Sequence, residues 1–564
     1  MKELKYLSKF YIKYRWRFAL GVFFVVISNL FAIFPAVYTR KSFDLAKEAI
    51  VSSQSEYNFT DLTYTLLYYG LMLVLFALLK GLFMFLMRQT IIVMSRLIEY
   101  DLKNEIFTHY QNMDQSFFKR NNTGDMMARI SEDVTKVRMF LGPATMYPIN
   151  MISLFLFVMY NMFSINIKLS IYVLAPLPIM SITIFIISKI IHTKSEKVQI
   201  QLSKLSTLSQ ESFSGIRILK SFVSEISNFN IFKYETNKYL EKNLSLAKTN
   251  AAFFPFMLLL IGLSTILTIY IGGREAISGN ISTGNIAEFI IYVNMLTWPM
   301  ASIGWVTSII QRAAASQKRI NEFLKDKSKL DLHKGFNHNI NGKIVFKNIN
   351  FKYPDGKLNT LKNISFEINK GQKVAIVGRT GSGKSTLINL ISRMYNPSSG
   401  TIKIDDIPIE NIKISNLRSQ ISLVTQETLL FSDTISNNIA FGSKNKNLNK
   451  DEIVIAAKKA CIHENITNFT NNYETVIGER GVTLSGGQKQ RISIARALVK
   501  SSSILIFDDC LSAVDNETEN KIFQSINKEI QTKTSITISH RLSSIKDSDK
   551  IIVLEKGKIA EIGN

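Results

Sequence analysis

The sequence contains little cysteine and is short of acidic residues. Two cysteines, Cys461 and Cys510, occur in 564 residues, which excludes a disulfide scaffold and a zinc site built on cysteine ligands. Asp and Glu number 44 against 68 Lys and Arg, so the formal net charge is +24. An excess of this sign indicates either a nucleic-acid partner or a basic face beside a membrane, and the location of the lysines distinguishes the two.

Charged residues are also scarce, at 20% of the chain, whereas hydrophobic residues make up 46%. This composition excludes a disordered chain and argues against a wholly soluble enzyme. The apolar residues before Gln311 gather in six runs, each with about the 20 residues that cross ~30 Å of hydrocarbon. The predicted spans are residues 18–38, 62–87, 141–163, 169–191, 252–273 and 286–309.

The charges that flank the first run predict the orientation of the chain. Glu3 is the one acidic residue before this run, where Lys and Arg are abundant. The positive-inside rule therefore predicts a cytoplasmic N-terminus, and six spans return the chain to the cytoplasm after Gln311. A basic inner face accounts for the net charge, so no nucleic-acid partner is expected. We expect a multi-pass protein of the plasma (inner) membrane.

Two connections between spans are unusually long and contain few helix breakers. No Gly or Pro occurs in residues 82–123, which as one helix would reach ~63 Å, about twice the bilayer core. Between residues 179 and 254 the only breaker is Gly215. We expect two helical hairpins that extend into the cytoplasm and contact the rest of the protein at their tips, near residues 115–123 and 210–221. The alternative, a pair of structureless loops, is uncommon at this length.

Five polar residues lie within the predicted spans, where such side chains are costly and often functional. They are Asn29, Lys80, Asn150, Glu288 and Asn294. Each is a candidate for substrate contact. Glu288 and Lys80 lie near span ends, however, and could reach the aqueous interface.

The composition changes at Lys343, where short β-branched stretches begin to alternate with helical ones. The predicted strands are residues 343–351, 373–377, 421–424, 504–508 and 535–538. This alternation is typical of a parallel α/β sheet. The predicted fold is a membrane α-helical domain of six transmembrane helices with long cytoplasmic extensions, fused to an α/β P-loop ATPase domain. The domain limits are predicted as 1–325 and 343–564, with a linker at 326–342.

The strand 373–377 leads into a complete phosphate-binding loop, G-x-x-x-x-G-K-S. Its residues are Gly378, Arg379, Thr380, Gly381, Ser382, Gly383, Lys384 and Ser385, with Thr386 next. Glycines let backbone N–H groups surround phosphates, and the following helix N-terminus adds a positive dipole. Lys384 is expected to reach the outer phosphates of ATP, and the Ser385 hydroxyl to bind Mg²⁺.

Two further stretches complete the nucleotide chemistry. The apolar strand 504–508 ends in Asp508, which in a P-loop sheet holds Mg²⁺, and Asp509 follows directly. The second stretch is Leu484, Ser485, Gly486, Gly487 and Gln488 at the start of a predicted helix. A glycine-rich helix N-terminus of this kind suits a phosphate group.

The order of these motifs resembles the nucleotide-binding domain of ABC transporters, and the pentapeptide at 484–488 is highly specific to that superfamily. The six spans and long cytoplasmic hairpins resemble exporter half-transporters of the multidrug and lipid type. The resemblance covers nearly the whole chain and implies ATP-driven export of an amphipathic or hydrophobic small molecule or a lipid. Members of that family usually continue past the position of Asn564 into a final short helix.

The resemblance implies a role for each matching residue. Tyr353 matches the aromatic residue that stacks on adenine. Gln426 matches the glutamine that senses Mg²⁺ and the γ-phosphate, and His540 the histidine that contacts the γ-phosphate. Ser485, Gly486, Gly487 and Gln488 match the signature that closes over ATP held by a second copy of the domain. Residues 512–515 match a loop of the dimer interface, and residues 479–481 match a segment that contacts the membrane domain.

Asp509 departs from the family pattern, which has glutamate as the general base or water-orienting residue. A carboxylate that is one CH₂ shorter should slow hydrolysis, because a displacement of ~1 Å can cost on the order of 10²-fold in rate. The intact signature and the altered Asp509 together favour a heterodimer with a second half-transporter that carries glutamate. A homodimer with two slow sites remains the alternative, and the intact His540 favours it mildly.

Two other functions are compatible with parts of the sequence. A regulatory subunit would hold ATP with little turnover and gate a catalytic partner. A peptide exporter with its own protease would need an N-terminal cysteine, and no cysteine precedes Cys461. The transported compound is not encoded in any motif.

Overall fold

The computed structural model describes residues 2–51, 59–332, 334–356, 358–443, 448–478, 484–511, 516–530, 533–541 and 545–564. The chain divides into two compact units. The first comprises Met1–His109 and Gly124–Asp326, and the second comprises Tyr110–Thr123 and Lys327–Asn564. The second unit therefore includes Tyr110–Thr123, although the residues before and after this segment belong to the first unit.

In the first unit, called the membrane unit below, the regular secondary structure of the described residues is helical. Within the described residues, six helical segments are long and apolar enough to cross a membrane. We name them spans 1 to 6: Arg15–Ile50, Thr60–Gln111, Thr123–Ile165, Ile167–Ser214, Glu225–Ile277 and Thr283–Lys325. The prediction of six spans is confirmed.

Short breaks divide some of these segments. Span 3 is composed of helices Thr123–Ala128, Val134–Leu141 and Pro143–Ile165, with a π-helical turn at Arg129–Asp133. Span 4 is composed of Ile167–Leu174 and Pro176–Ser214, and helix Ile216–Ser221 follows it. The chain begins with a 3₁₀ turn at Lys2–Leu7 and a helix at Ser8–Lys13.

Several helices are much longer than a bilayer requires. Phe59–Gln111 and Glu225–Ile277 each have 53 residues, or about 80 Å at 1.5 Å per residue, against a hydrocarbon core of ~30 Å. The long connections are therefore helical, as the scarcity of Gly and Pro predicts. The first hairpin differs from the expectation in one detail, because its helix ends at Gln111 and a separate helix occupies Gln115–Arg120.

Two of the five polar residues inside the predicted spans, Asn29 and Glu288, connect one span to another. The Asn294 side chain is exposed and donates to the Ile290 carbonyl of its own helix. The Glu288 side chain is 1% exposed, accepts a hydrogen bond from Tyr292 Oη at 2.8 Å, and lies 3.3 Å from Arg40 Nη1 on span 1. Asn29 Nδ2 donates to the carbonyl oxygen of Asn150 at 3.1 Å. Both side chains thus have protein partners between spans, which favours a structural role over substrate contact.

The described residues of the second unit, called the ATPase unit below, form two sheets. Its strands are β1 Ile344–Phe351, β2 Leu361–Ile368, β3 Lys373–Gly378, β4 Ser399–Ile404, β5 Ile407–Pro408, β6 Ile421–Val424, β7 Ile504–Asp508, β8 Thr534–Ile538, β9 Lys550–Glu555 and β10 Lys558–Gly563. One sheet has the order β2-β1-β4-β5 and the other the order β10-β9-β3-β8-β7-β6.

The expectation that all five predicted strands share one parallel sheet is wrong for the first of them. β1 belongs to the small sheet and pairs antiparallel with β2 and β4. Its connection to β2 runs only from residue 352 to residue 360, and a parallel crossover needs a dozen residues or more. The other four form the parallel core β3-β8-β7-β6, in which β3 also pairs with β9.

Helices of the ATPase unit cover the large sheet and form a second layer. They are Lys384–Ile391, Ile414–Ser419, Ile435–Ala440, Lys450–Lys459, His463–Thr467, Gly486–Leu498 and Asn516–Ile530, with 3₁₀ turns at Ile409–Asn411 and Asn472–Glu474. Two hydrophobic clusters result. The first core contains Ile376, Leu387 and Ile506, and the second core contains Ile439, Leu484 and Ile492.

Candidate functional site

The phosphate-binding loop connects the end of β3 to the helix Lys384–Ile391. Gly381 and Gly383 have φ angles of +82° and +107°, in the left-handed region that favours glycine. A Cβ atom on Gly383 would lie 2.7 Å from Leu361 Cδ2. The loop therefore needs glycine at this position for its backbone conformation and for its packing against β2. The result is a ring of backbone N–H groups at a helix N-terminus, which suits phosphate.

Lys384 lies at the centre of this loop and is 8% exposed. Its Nζ donates hydrogen bonds to the carbonyl oxygens of Gly378 at 2.7 Å and Arg379 at 3.1 Å. Burial lowers the pKa of Lys384, and the negative charges of Asp508 and Asp509 oppose this shift. The amine is therefore held inside the loop by weak carbonyl acceptors, which an anionic phosphate would outcompete.

Asp508 lies at the carboxyl end of β7, beneath the loop, and is 8% exposed. Burial raises the pKa of Asp508, a hydrogen bond with the Ser385 side chain opposes the rise, and Asp509 adds to it. The nearby Ser382 Oγ is buried and has no hydrogen-bond partner within the described residues. A hydroxyl and a carboxylate are oxygen ligands of the kind that Mg²⁺ prefers, so the donor set fits this ion.

Asp509 has a left-handed backbone, with a φ angle of +45°. Its N–H donates to the Ile538 carbonyl of β8 at 2.9 Å. Gln426, just after β6, directs its Nε2 toward Asp509 Oδ2 at 3.4 Å. The ends of β6, β7 and β8 thus bring the glutamine and the aspartate together beside the loop, as expected where parallel strands end.

His540 follows the last strand of this group and is exposed. The preceding Ser539 accepts a hydrogen bond from the Arg541 N–H at 3.1 Å. The Arg541 side chain forms an ion pair with Glu519, which is 1% exposed. The segment after β8 is therefore anchored on both sides of His540.

Tyr353 is connected to the loop through its hydroxyl, which lies 3.1 Å from Thr386 Oγ1. Its ring packs edge-to-face on Phe351 and Tyr395, with centroids 4.9 Å and 5.3 Å away. Lys119 Nζ lies over the same ring, 4.4 Å from its centroid. The aromatic residue predicted to receive adenine therefore already contacts a cation.

Lys119 belongs to the helix Gln115–Arg120, which we call the tip helix because it forms the tip of the first hairpin. Asp114 caps this helix by accepting from the Phe117 N–H at 3.1 Å, and its other oxygen accepts from the Lys329 N–H at 2.6 Å. Burial raises the pKa of Asp114, but hydrogen bonds from Ser116, Lys329 and Phe117 outweigh it and hold the pKa below its usual value.

The sequence predicts contact at this tip but does not indicate which residues make it. Asp114 and Lys119 were not singled out from the sequence. An aspartate directly before a short helix is a usable cap signal. The position of Lys119 over Tyr353 has no local signature.

The signature residues begin the helix Gly486–Leu498. Ser485 Oγ accepts from the Gln488 N–H at 3.3 Å, and Gln488 Oε1 accepts from the Ser485 N–H at 3.0 Å, which completes a capping box. Leu484 is anchored in the second core, whereas the helix after the phosphate-binding loop packs in the first core. Ser485 and Gly486 are exposed. The predicted segments 479–481 and 512–515 lie outside the described residues.

Comparisons with known proteins agree with this architecture. Residues 18–300 match the family described as ABC transporter transmembrane region, and residues 361–512 match the family described as ABC transporter. The chain belongs to the ABC transporter family.

Two relatives and one solved structure show the range of similarity. The probable multidrug resistance ABC transporter ATP-binding/permease protein YheI of Bacillus subtilis (strain 168) is 33% identical over 562 residues, which is 99% of this chain and 94% of the relative. The ATP-dependent lipid A-core flippase of Syntrophus aciditrophicus (strain SB) is 35% identical over 474 residues, or 82% and 77% of the two chains. A bacterial Atm1-family ABC exporter with ATP bound has a TM-score of 0.78 at 24% identity, covering 98% and 95%, and shares the fold.

Family membership establishes the general activity. The protein is an ATP-binding, ATP-hydrolysing exporter of the multidrug or lipid type. It is a multi-pass inner-membrane protein whose ATPase domain is cytoplasmic. Exporters of this kind work as dimers.

Proposed function

We propose that this chain is one half of a heterodimeric exporter that moves an amphipathic or hydrophobic small molecule or a lipid by alternating access. ATP binding would close two nucleotide domains on each other, and this closure would turn the membrane cavity outward. The relatives named as a multidrug resistance transporter and a lipid A-core flippase support this substrate class. The proposed functional domains are residues 1–325 and 343–564, joined by a linker at 326–342.

In the proposed ATP site, the backbone of residues 378–383 binds the phosphates and Lys384 neutralises the outer ones. Tyr353 stacks on adenine, and His540 contacts the γ-phosphate. Ser385, Asp508 and Gln426 would hold Mg²⁺, which when bound neutralises charge that develops on the phosphates. Two hydrogen bonds support this assignment, from Lys384 Nζ to the Gly378 carbonyl and between the Ser385 and Asp508 side chains, because they gather a cation and oxygen ligands at one loop.

A second chain is required because the signature would complete another chain's ATP site. The exposure of Ser485 and Gly486 at a capped helix N-terminus supports this role, since the helix dipole is directed at solvent and available to a phosphate. The tip of the second hairpin also favours a partner. Phe213, Ile218 and Phe222 are 66–76% exposed there, and apolar side chains exposed together indicate a contact surface.

The observation that carries the proposal of a slow site is the position of Asp509 opposite Gln426, at 3.4 Å from Nε2 to Oδ2. In the proposed mechanism Asp509 orients the attacking water or accepts its proton. The aspartate side chain is one CH₂ short of the family's glutamate and is already engaged by an amide. Hydrolysis over this chain's own loop is therefore expected to be slow, while its signature serves a partner's faster site.

The test is the ATPase rate of the purified chain with Asp509→Glu, measured against wild type and Asp509→Asn. We expect the glutamate variant to gain on the order of 10- to 100-fold, because the carboxylate regains the reach that a ~1 Å shortfall removes. Asp509→Asn should abolish the residual rate, because the amide cannot accept a proton.

The regulatory-subunit alternative makes a different prediction for the same variants. The short side chain of Asp509 also favours this alternative. A regulatory subunit would bind ATP without hydrolysing it. No ATPase activity in either wild type or Asp509→Glu, with normal ATP binding by both, would support that alternative and contradict a merely slowed site.

A further inference from the structure

A cavity of about 740 Å³ lies in the membrane unit between spans 4, 5 and 6. Spans 4 and 6 approach closely beside it, since a Cβ atom on Gly304 would lie 2.7 Å from Ser188 Oγ. Small residues permit such close helix contacts in membranes. Phe185 and Trp305 line the cavity and are 69% and 45% exposed. The walls therefore present aromatic surface that no other side chain covers fully.

The polar lining of this cavity is basic. Lys189 and His192 of span 4 and Arg312 of span 6 contribute to it, and none of the described lining residues is acidic. Within the described part of the chain, the Lys189 and His192 side chains have no hydrogen bond or ion pair. Arg312 Nη1 donates to Ser308 Oγ at 2.6 Å, which leaves most of its five N–H donors available.

Two other charged side chains of span 4, Lys194 and Glu196, do not line the cavity. Lys194 Nζ donates to the Ser245 carbonyl and to Thr249 Oγ1 of span 5, at 3.2 Å and 2.8 Å. Glu196, one helical turn beyond His192, is exposed and does not line the cavity. Lys189 and Arg312 thus line a cavity without carboxylates among its described residues, whereas Lys194 is bound to polar groups of span 5.

The basic and the apolar residues that line the cavity lie at different depths in the membrane. Lys189, His192 and Arg312 lie at the cytoplasmic ends of the predicted spans, which end near residues 191 and 309. Met300 and Ile303 line the cavity deeper in span 6. From Met300 to Arg312 the helix rises ~18 Å. The cavity therefore offers a basic end at the interface and an apolar end within the bilayer.

Basic residues at cytoplasmic span ends have a simpler explanation, because they also orient membrane proteins and reach toward headgroups. That role depends only on the side of the membrane. It does not require cations from two helices, about 120 residues apart in sequence, to line one cavity that excludes carboxylates.

We propose that this cavity binds an amphiphile with an anionic head, a phosphate or a carboxylate, which Lys189 and Arg312 contact while its hydrocarbon part packs among Phe185, Met300 and Ile303. The inference rests on the proposed export function and defines its substrate class. The amphiphile enters either from the bilayer as a lipid or from the cytoplasm as a single-chain compound, and the two share this chemistry.

The test measures binding without ATP, on the full chain in phosphatidylcholine nanodiscs. Brominated dodecyl phosphate and brominated dodecyl trimethylammonium are compared as quenchers of tryptophan fluorescence, and Trp305→Phe identifies the signal of Trp305 against Trp16 and Trp298. We expect saturable quenching of Trp305 by the phosphate and at least fivefold weaker binding of the ammonium compound. Brominated phosphatidylglycerol in the disc, against brominated phosphatidylcholine, tests entry from the bilayer.

Charge variants supply the second measurement. Lys189→Gln and Arg312→Gln should each weaken phosphate binding about two- to fivefold, and the double variant about tenfold, as expected for partly exposed ion pairs. The matched control is Lys197→Gln, which removes an exposed cation from the same helix outside the cavity and should leave binding unchanged. Basal ATPase activity and size-exclusion profiles verify that the variants are folded.

Equal quenching by both head groups, or a double variant that binds like wild type, would overturn the inference. Export is read separately, as ATP-dependent movement of the same phosphate probe into inverted vesicles. Charge-selective binding that is not accompanied by such movement would support the site and contradict the proposed export.

Discussion

Asp509 shows how backbone and side chain together define one residue's role. A left-handed conformation costs most residues about 1 kcal/mol or more, and Asp and Asn tolerate it better than longer side chains. The hydrogen bond from its N–H to Ile538 fixes this conformation at the end of β7. We therefore expect Asp509→Glu to have a slightly lower free energy of unfolding than wild type, together with its higher ATPase rate. Under this proposal the aspartate stabilises the local backbone and slows hydrolysis.

Lys384 provides a test of the proposed phosphate site at the scale of one residue. Lys384→Met should lower the ATPase rate at least ~100-fold, because it removes a preorganised charge from the position where phosphate charge develops. ATPase activity of the purified chain is the measurement, and Lys370→Met, an exposed lysine just before β3, is the control. Activity within threefold of wild type in Lys384→Met would contradict the assigned role.

The tip helix is the clearest case at the scale of an element. It has only six residues, so it depends on its cap and on its contacts in the ATPase unit more than on helix propensity. Asp114 supplies the cap and also binds the backbone of Lys329. Lys119 then contacts Tyr353. A nucleotide that stacks on Tyr353, as proposed, would therefore contact or displace Lys119 of the tip helix.

Asp114→Ala should loosen this helix by about 1 kcal/mol, the usual cost of a lost N-cap. The measurement is amide hydrogen exchange in peptides covering residues 110–123, which should become faster, whereas peptides covering the signature helix should not change. Asp114→Asn retains a capping oxygen and should be affected less.

The effect of Asp114 should also depend on pH. Its pKa is lowered in the folded protein, so its stabilising contribution is complete above the unfolded value of about 3.9 and is lost as pH falls through the folded pKa. The difference in exchange between wild type and Asp114→Ala should therefore persist at pH 5–7. A difference that disappears between pH 7 and pH 5 would show that the carboxylate is not what stabilises the tip.

At the scale of the whole molecule, the two hydrophobic cores of the ATPase unit account for the proposed need for a partner. The phosphate-binding helix packs in one core and the signature is anchored in the other. Two Gly-rich helix N-termini in one chain thus have separate supports, which agrees with the proposal that each contacts a different nucleotide.

The composition of the dimer can be tested in the native host. A tagged copy and an untagged copy of the chain are expressed together, and the tagged copy is purified from the membrane. A heterodimer predicts that a second half-transporter with glutamate after its Walker B aspartate co-purifies at an equal amount, and that the untagged copy does not. Recovery of the untagged copy together with the tagged copy would instead demonstrate a homodimer.

The sequence by itself determined the features that depend on neighbouring residues. Six apolar runs define six spans, because hydrocarbon thickness imposes a minimum length on each helix. The loop at 378–385 and the capped signature helix follow from glycine conformations and local hydrogen bonds. Four of the five predicted strands form the parallel core. Their prediction was possible because a buried strand of a parallel sheet is a continuous apolar run, which is a local pattern.

Only the tertiary structure decided which distant residues meet. β1 pairs with β2 and β4 in the antiparallel sheet. These two strands were not predicted from the sequence, and the choice of pairing partners depends on residues that are distant along the chain. Lys119 reaches Tyr353 across more than 200 residues of sequence, and Lys189 and Arg312 line one cavity from different helices. Such contacts depend on how complete helices and sheets pack, and periodicity along the chain does not encode this information.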